Sequence, residues 1–315
     1  MKTGFDHILS PAKLNLFLHI TGQRRDGYHL LQSLMVLIDW CDILHFELRE
    51  DGKIQRHDLG EQLPENDLIV RAAKLLQQKT GTSLGIDISV EKHIPTQAGL
   101  GGGSSNAATV LLALNRLWGL HLPLTELHTL GIQLGADVPF FLHNGPAWVE
   151  GIGEILSPIS LPEEVYQQTV AVVKPPIGVS TQQLFLNPLL TKNSKPVIIA
   201  DFISDAFKKK YTDNCSGSVK GEFTVFDTVF GFGCNDLQTV AEQVEPEIKK
   251  AIDMLSKYAG TTARMTGSGS AVFAPIRNDR VGLPEQSTNI PLCEGWLLKK
   301  CRILPAHPQA YLLTV

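Results

Sequence analysis

Residues Pro95 to Ala107 read P-T-Q-A-G-L-G-G-G-S-S-N-A, four glycines in five positions followed by two serines. Before this loop, Ile86, Ile88 and Val90 alternate like one face of a strand; after it, Val110, Leu111, Leu114, Leu117 and Trp118 are spaced like one face of a helix. A chain that passes from strand to helix through so many glycines can turn several N–H groups inward. The helix start adds unpaired donors and a partial positive charge. Together these make a cradle for an anion of the size of a phosphate.

Spacing excludes two other phosphate loops. A P-loop requires G-x-x-x-x-G-K-S/T, and here Ser104, Ser105 and Asn106 follow the glycines with no lysine. A dinucleotide fingerprint requires G-x-G-x-x-G, and Gly99-Leu100-Gly101-Gly102-Gly103 reaches Ser104 where the last glycine belongs. The competing reading is a flexible connector with no ligand, against which the abutting helix start argues.

The charge balance narrows the partners. A net charge of −4 over 315 residues argues against nonspecific binding to nucleic-acid backbones, so an anionic ligand must be held by local groups. The basic clusters Arg24-Arg25 and Lys208-Lys209-Lys210 are short, and the second reads as a solvated face. Cys41, Cys215, Cys234, Cys293 and Cys301 are odd in number, and no C-x-x-C occurs. Neither a zinc site nor a disulfide framework is expected, and reduced cytoplasmic thiols are the simplest account. The histidines form no H-E-x-x-H or ligand-like cluster, so no structural metal or tightly bound cofactor is expected. No signal-peptide core and no apolar run near the ~20 residues of a membrane span is present. The expectation is a soluble cytoplasmic protein with no nucleic-acid or membrane partner, a monomer or weak homodimer.

Ala12, Leu14, Leu16, Leu18 and Ile20 share one face of a strand, and Lys13, Asn15, Phe17 and His19 the other, more polar one. Gly22 to Gly27 reads as a polar turn, and Leu30 to Leu48 as one or two further strands. Helices are expected over Asn66–Gln78, capped by Asn66 or Asp67, over Ser104–Trp118, from Pro123 to Gly135, and over Pro246–Tyr258. Proline and polar residues near Leu156 to Pro162 suggest a boundary between domains 1–160 and 161–315, and residues 191–222 read as a loop-rich insertion. Without the long βα regularity of a barrel or any repeat, α+β layers are favoured.

Three features could carry chemistry. Lys13 is either an edge gatekeeper or a functional cation, and Asn15 on the same face favours the second. Asp137, in G-A-D-V-P-F-F-L, reads as a turn aspartate; buried beside two phenylalanines it would need a partner such as Lys13. Gly267-Ser268-Gly269-Ser270 is a second small-residue turn before the apolar Ala271-Val272-Phe273, alone only ordinary turn chemistry. Ser104 and Ser105 lack the G-x-S-x-G context of a hydrolase nucleophile.

S-P-A-K-L-N-L-F-L at Ser10–Leu18, P-x-x-x-G-L-G-G-G-S-S-N-A-A at Pro95–Ala108, L-G-A-D-V-P-F at Leu134–Phe140 and M-T-G-S-G at Met265–Gly269 occur in this order. Together they resemble the motifs of the GHMP kinases, the small-molecule kinases named for galactose, homoserine, mevalonate and phosphomevalonate. Lys13–Asn15, R-R-D-G-Y-H at Arg24–His29 and C-N-D-L at Cys234–Leu237 make the resemblance greatest to the branch acting on 4-diphosphocytidyl-2-C-methyl-D-erythritol. The resemblance implies a two-domain α+β fold, the first domain ribosomal-S5-domain-2-like and the second ferredoxin-like, closing a cleft. It implies transfer of the γ-phosphoryl of ATP, with Mg²⁺, to the 2-hydroxyl of the methylerythritol, a step of the non-mevalonate isoprenoid route. Asp137 matches the base and Lys13 the lysine that orients it. Pro95, Gly99, Leu100, Gly101, Gly102, Gly103, Ser104, Ser105 and Asn106 would hold the triphosphate, with Asn66 and Lys92 towards the adenosine. Tyr28 and Phe185 would sandwich the cytosine, His29 would bond its edge, and Asn15, Gly267, Ser268 and Gly269 would also meet substrate. The alternatives are a related kinase for mevalonate, homoserine or a sugar, against which the base-binding residues argue, and a ligand sensor without turnover.

Overall fold

The computed structural model describes residues 4–202, 228–276 and 294–313. Two long antiparallel strands organise it, β1 (Gly4–Gln23) and β2 (His29–Arg49), joined by a turn in which Arg24 N–H donates to Tyr28 O at 2.7 Å. There follow β3 (Ile54–Asp58), α1 (Leu68–Thr80), β4 (Gly85–Glu91), α2 (Gly102–Leu117), α3 (Leu124–Leu134), α4 (Val138–Phe141), β5 (Ala147–Glu150) and β6 (Ile155–Pro158). The described remainder holds α5 (Glu163–Tyr166), β7 (Thr169–Lys174), α6 (Thr181–Leu186), α7 (Gln238–Val244), α8 (Pro246–Ala259), β8 (Arg264–Met265), β9 (Val272–Pro275) and β10 (Leu297–Leu304).

β2 pairs with β1 along one edge, while its other edge is shared in turn by β5, β10 and β4. β3 lies parallel to β4, and β10 continues the sheet through β7 and β9 to β8. Ile303 and Leu304 pair with Ile38 and Leu37, and Cys301 with Val170, so β10 stitches the early strands to the late ones.

The expected helices form within a residue or two of their expected bounds. Asp67 caps α1 by accepting from Val70 N–H at 3.1 Å, and Gly81 closes it in left-handed backbone. Gly135 follows α3 in extended rather than left-handed backbone. The helices α1 to α3 bury Leu76, Leu111, Leu114 and Leu127 against one face of β2 and β4, and α8 buries Ile248 and Leu255 against β7 and β9. Between these two cores a third gathers Leu14, Leu16, Phe17, Val36, Trp148 and Ile303.

That middle core alters the expected two-faced reading of the first strand. Lys13, Asn15 and Phe17 are as buried as the aliphatic residues between them, because elements cover both sides of β1. A register shift between Asn15 and Phe17 also breaks the strict alternation. Leu30 to Leu48 forms one strand. Of the segment 191–222, residues from 203 onward lie outside the described residues, as do Cys215 and Cys293; Cys41, Cys234 and Cys301 are free thiols. Among the described residues no helix is long and apolar enough to cross a membrane.

Candidate active site

The glycine loop passes from β4 to α2 and ends in Gly101, whose left-handed backbone (φ 73°) starts the helix with no side-chain cap. Ser105 N–H donates to Gly101 O at 2.8 Å, so the N–H groups of Gly102, Gly103 and Ser104 precede the first helical bond and have no acceptor within the helix. Among the described residues these three donors have no backbone partner, at the positive end of a helix dipole.

The loop is locked to β1 and to the second glycine turn. Lys13 N–H donates to Leu100 O at 2.9 Å, and Ala271 N–H to Ala98 O at 3.1 Å. A Cβ on Gly99 would stand 2.3 Å from Thr266 O, and one on Gly267 would stand 2.9 Å from both Gly99 O and Lys13 Nζ. Glycine is required at these crossings because two backbones touch there. The fixed loop brings Lys13, on β1, beneath the helix start.

Lys13 Nζ lies 3.7 Å from Asp137 Oδ2 and donates to Asn15 Oδ1. Burial pulls the Lys13 ammonium below its ordinary pKa of 10.5, and Asp137 opposes that shift by charge and hydrogen bonding. Asn15 is itself held, Nδ2 donating to Ser33 Oγ at 2.7 Å and its backbone N–H to Thr266 Oγ1 at 2.8 Å. Asp137 stands between α3 and α4. The expectation of a carboxylate buried by the phenylalanines is corrected: its side chain is 35% exposed, and the lysine bears the cost of burial.

Four other expected contacts are placed differently. Leu100 turns its side chain into the core and meets the site only through its backbone. Ser105 is fully buried with its hydroxyl on Ser10 Oγ at 2.8 Å, while Ser104 remains half-exposed. Asn106 donates to Ser10 Oγ and Asp42 Oδ2 and accepts from Lys92 Nζ. Lys92 pairs with Asp42, so its charge is spent beneath the loop. Asp42, which sequence reasoning missed, is wholly buried and also accepts from His93 and Ile94 N–H at 2.7 and 2.8 Å. It sits in an ordinary-looking strand sequence, W-C-D-I, and only its position under the loop marks it. Pro95 is half-buried, and Asn66 is exposed on the turn before α1, whose Leu68 borders Gly103.

At the other end of β1, His29 is buried and stacks on Phe185 of α6, with centroids 5.1 Å apart and planes at 25°. Among the described residues its Nε2 has no hydrogen-bond partner. Burial first, and the nearby Lys192 second, push its pKa below 6.5 and keep the ring neutral. Tyr28 is 61% exposed and, among the described residues, stacks on no ring, so Tyr28 and Phe185 do not form a closed sandwich: Phe185 covers His29. Ser268 Oγ lies 2.7 Å from Thr181 Oγ at the start of α6, which links the second glycine turn to the helix carrying Phe185. Gly267 and Gly269 are buried.

A model of the GHMP kinases N terminal domain matches residues 67–145, and one of the GHMP kinases C terminal matches residues 226–282. A 4-diphosphocytidyl-2-C-methyl-D-erythritol kinase of a Polaromonas species is 51% identical over 96% of this chain and 92% of its own. One of Variovorax paradoxus is 48% identical over 98% of each chain. A crystal structure of 4-(cytidine 5'-diphospho)-2C-methyl-D-erythritol kinase is 34% identical, with TM-score 0.64 over 86% of this chain and 90% of that one. A homoserine kinase from Cytophaga hutchinsonii shares the fold alone, at 15% identity and TM-score 0.65 over 98% of this chain and 97% of that one. By identities near one half along almost all of its length, the chain belongs to the GHMP kinases, within their 4-diphosphocytidyl-2-C-methyl-D-erythritol kinase family.

Proposed function

We propose that this chain transfers the γ-phosphoryl of ATP to the 2-hydroxyl of 4-diphosphocytidyl-2-C-methyl-D-erythritol, a step in building isoprenoid precursors. The observation that carries the reading is the Lys13–Asp137 pair set beneath three free N–H donors of a helix start. Phosphoryl transfer asks the protein for alignment and charge stabilisation more than for covalent chemistry. The Gly102, Gly103 and Ser104 N–H groups hold the phosphate oxygens. Asp137 Oδ2 accepts the proton of the attacking hydroxyl, a role worth roughly 10²–10⁴ in rate. Lys13 orients that carboxylate and stabilises charge developing on oxygen from a buried position, where the lower dielectric strengthens its charge.

The donor set fits a Mg²⁺ held mostly by the triphosphate. Among the described residues no cluster of three or more histidine, cysteine or carboxylate ligands exists, and Mg²⁺ with nucleotides needs only one or two protein carboxylates. Asp137 and the Ser104 hydroxyl are the residues that would hold it. When bound, the ion neutralises phosphate charge; the steps above belong to the chain's own groups.

The orphaned His29 Nε2 supports a nucleobase at the far end of the cleft, since leaving it unpaired in the interior costs roughly 1–3 kcal/mol. A neutral imidazole bonds the cytosine edge, and Tyr28, open to solvent, folds over the base beside Phe185. We keep the division of the chain into units 1–160 and 161–315, and read it as a cytoplasmic enzyme from its free thiols.

The deciding measurement is ADP release with the diphosphocytidyl alcohol, mevalonate, homoserine and galactose, with ³¹P NMR to locate the new phosphomonoester. Turnover of the cytidyl compound alone, at its 2-hydroxyl, is expected. Turnover of mevalonate and not of the cytidyl compound overturns the specificity, and MgATP binding without turnover of any alcohol favours a sensor.

A further inference from the structure

The segment Cys234–Leu237 has no catalytic group aimed at Lys13 or Asp137, yet it is tied to the strand that carries Lys13. Leu18 N–H donates to Cys234 O at 2.9 Å and Asp236 N–H to Leu18 O at 2.8 Å, so the segment runs as a short parallel addition to β1. Gly233 (φ 61°) permits this approach: a Cβ there would stand 2.9 Å from Phe17 Cβ. Asp236 completes the attachment by accepting from Ile20 N–H at 2.7 Å and Ser194 Oγ at 2.6 Å.

Asn235 faces inward from this anchored segment and is 4% exposed. Its Nδ2 donates to Met265 O at 2.9 Å and to Gly267 O at 2.8 Å, and its Oδ1 accepts from Leu237 N–H at 3.0 Å. Both amide protons are thus spent on the two carbonyls that bracket the turn of the second glycine loop. Gly267, at φ 54°, lies against the Lys13 ammonium, 2.9 Å from where its Cβ would stand. Because a peptide is planar and trans, fixing the Gly267 carbonyl towards Asn235 turns the Ser268 N–H to the opposite side. A glycine peptide can flip at little cost, and the flipped carbonyl would come within reach of the Lys13 ammonium and compete with Asp137 for it. Only a side chain with two donors prevents this at both carbonyls; an ionised aspartate of the same shape would repel them.

We infer that Asn235 is a positioning residue of the phosphoryl-transfer site, which locks the Gly267–Ser268 peptide with its carbonyl turned away from Lys13 and its N–H free for an incoming group. The inference rests on the kinase reading for its kinetic consequence and on the hydrogen bonds alone for its structural one. Asn235→Ala and the isosteric Asn235→Asp are compared with Val240→Ala, a buried residue of α7 outside the loop that serves as a control for lost stability. Hydrogen exchange of peptides covering residues 264–270 is expected to speed up in both Asn235 variants and not in the control, whatever the substrate. The kcat is expected to fall about 10–100-fold, the range of a displacement of about 1 Å in a reacting site, while KM for the alcohol changes less than threefold.

Unchanged exchange in Asn235→Asp, or a kcat loss in Val240→Ala equal to that of the Asn235 variants at matched thermal stability, overturns the inference. A wild-type protein that turns over none of the alcohols overturns the kinase reading instead, and leaves the exchange comparison to decide the role of Asn235.

Discussion

The Lys13 ammonium stands 3.7 Å from the Asp137 carboxylate, and it is the lysine that is buried, with 3% of its side chain exposed against 35% for the aspartate. The asymmetry suits a base that must meet a substrate hydroxyl and a cation that must not be dissipated by water. Asp137→Asn removes the proton acceptor while leaving the N–H cradle intact, so kcat is expected to drop about 10²–10⁴-fold. Calorimetric affinity for metal-free ATP should stay within a few-fold of wild type. A variant that keeps wild-type turnover would remove Asp137 as the base.

Burial lowers the Lys13 pKa from 10.5, and that gives activity and stability opposite dependences on alkaline pH. The charged form is needed for catalysis, so kcat should decline as pH rises through a value below 10.5. In the window between the folded value and 10.5 the unfolded chain binds more protons than the folded one, so this group's contribution to stability rises with pH there. Paired kcat and urea-midpoint profiles test both signs. Lys13→Met should abolish this lysine's stability increment, and an alkaline limb at the ordinary lysine value would contradict the assignment.

His29 brings a second titration, on the acid side. Its pKa lies below 6.5 through burial and Lys192, so protonation as pH falls charges a ring that must pair with a neutral base. KM for the cytidyl substrate should rise as pH falls through that lowered value. The unfolded chain takes up this proton first, so stability also falls from about pH 6.5 downward. Tyr28→Ala and Phe185→Ala should each raise the same KM by roughly 5–150-fold, the effect of losing about 1–3 kcal/mol of base stacking. Unchanged KM in Tyr28→Ala would take that residue out of the base pocket.

Asp42 supports the cradle without reaching it. Four donors converge on its carboxylate: Lys92 Nζ, Asn106 Nδ2 and the N–H groups of His93 and Ile94. Asp42→Asn leaves the Lys92 ammonium buried and uncompensated, a loss of about 3–5 kcal/mol by the usual cost of breaking such a pair. Chemical denaturation should register that loss, together with weaker MgATP binding because Lys92 lies beside Gly102, 3.4 Å from where its Cβ would stand. Lys92→Met in the same background should recover part of the stability, since it removes the orphaned charge.

What the sequence made legible was local. The Asp67 cap, the stripe of α1 and the glycine-bounded start of α2 follow from spacing and capping chemistry, and the structure bears them out. The approach of Lys13 to Asp137 was suggested by the need of a buried carboxylate for a cation and made specific only by a family resemblance, because nothing in either local sequence encodes a contact between a strand and a distant turn. The inward turn of Ser105 and Asn106 was not legible, since a helix start reads the same whichever side its serines face. Nor was β10: L-L-K-K-C-R-I-L carries too many cations for a central strand, and it pairs on both edges because only Cys301 and Ile303 among its residues must be buried.

The glycines of the cradle separate by what stands over each one. A Cβ on Gly101 would lie 2.8 and 2.9 Å from the Phe141 ring and 3.1 Å from Lys13 Cγ, and its φ of 73° adds a left-handed penalty of roughly 1–2 kcal/mol. Gly101→Ala should therefore lower thermal stability and kcat together, by pushing on the lysine itself. Among the described residues, a Cβ on Gly103 meets only Leu68 Cδ1, at 3.5 Å, in helical backbone. There alanine should hold or raise stability, by up to about 0.5–1 kcal/mol. If MgATP affinity nevertheless falls in Gly103→Ala, the methyl group has met the nucleotide, because among the described residues it makes only an ordinary van der Waals contact. Unchanged affinity would place the triphosphate on the Gly101 side of the helix start, away from Gly103.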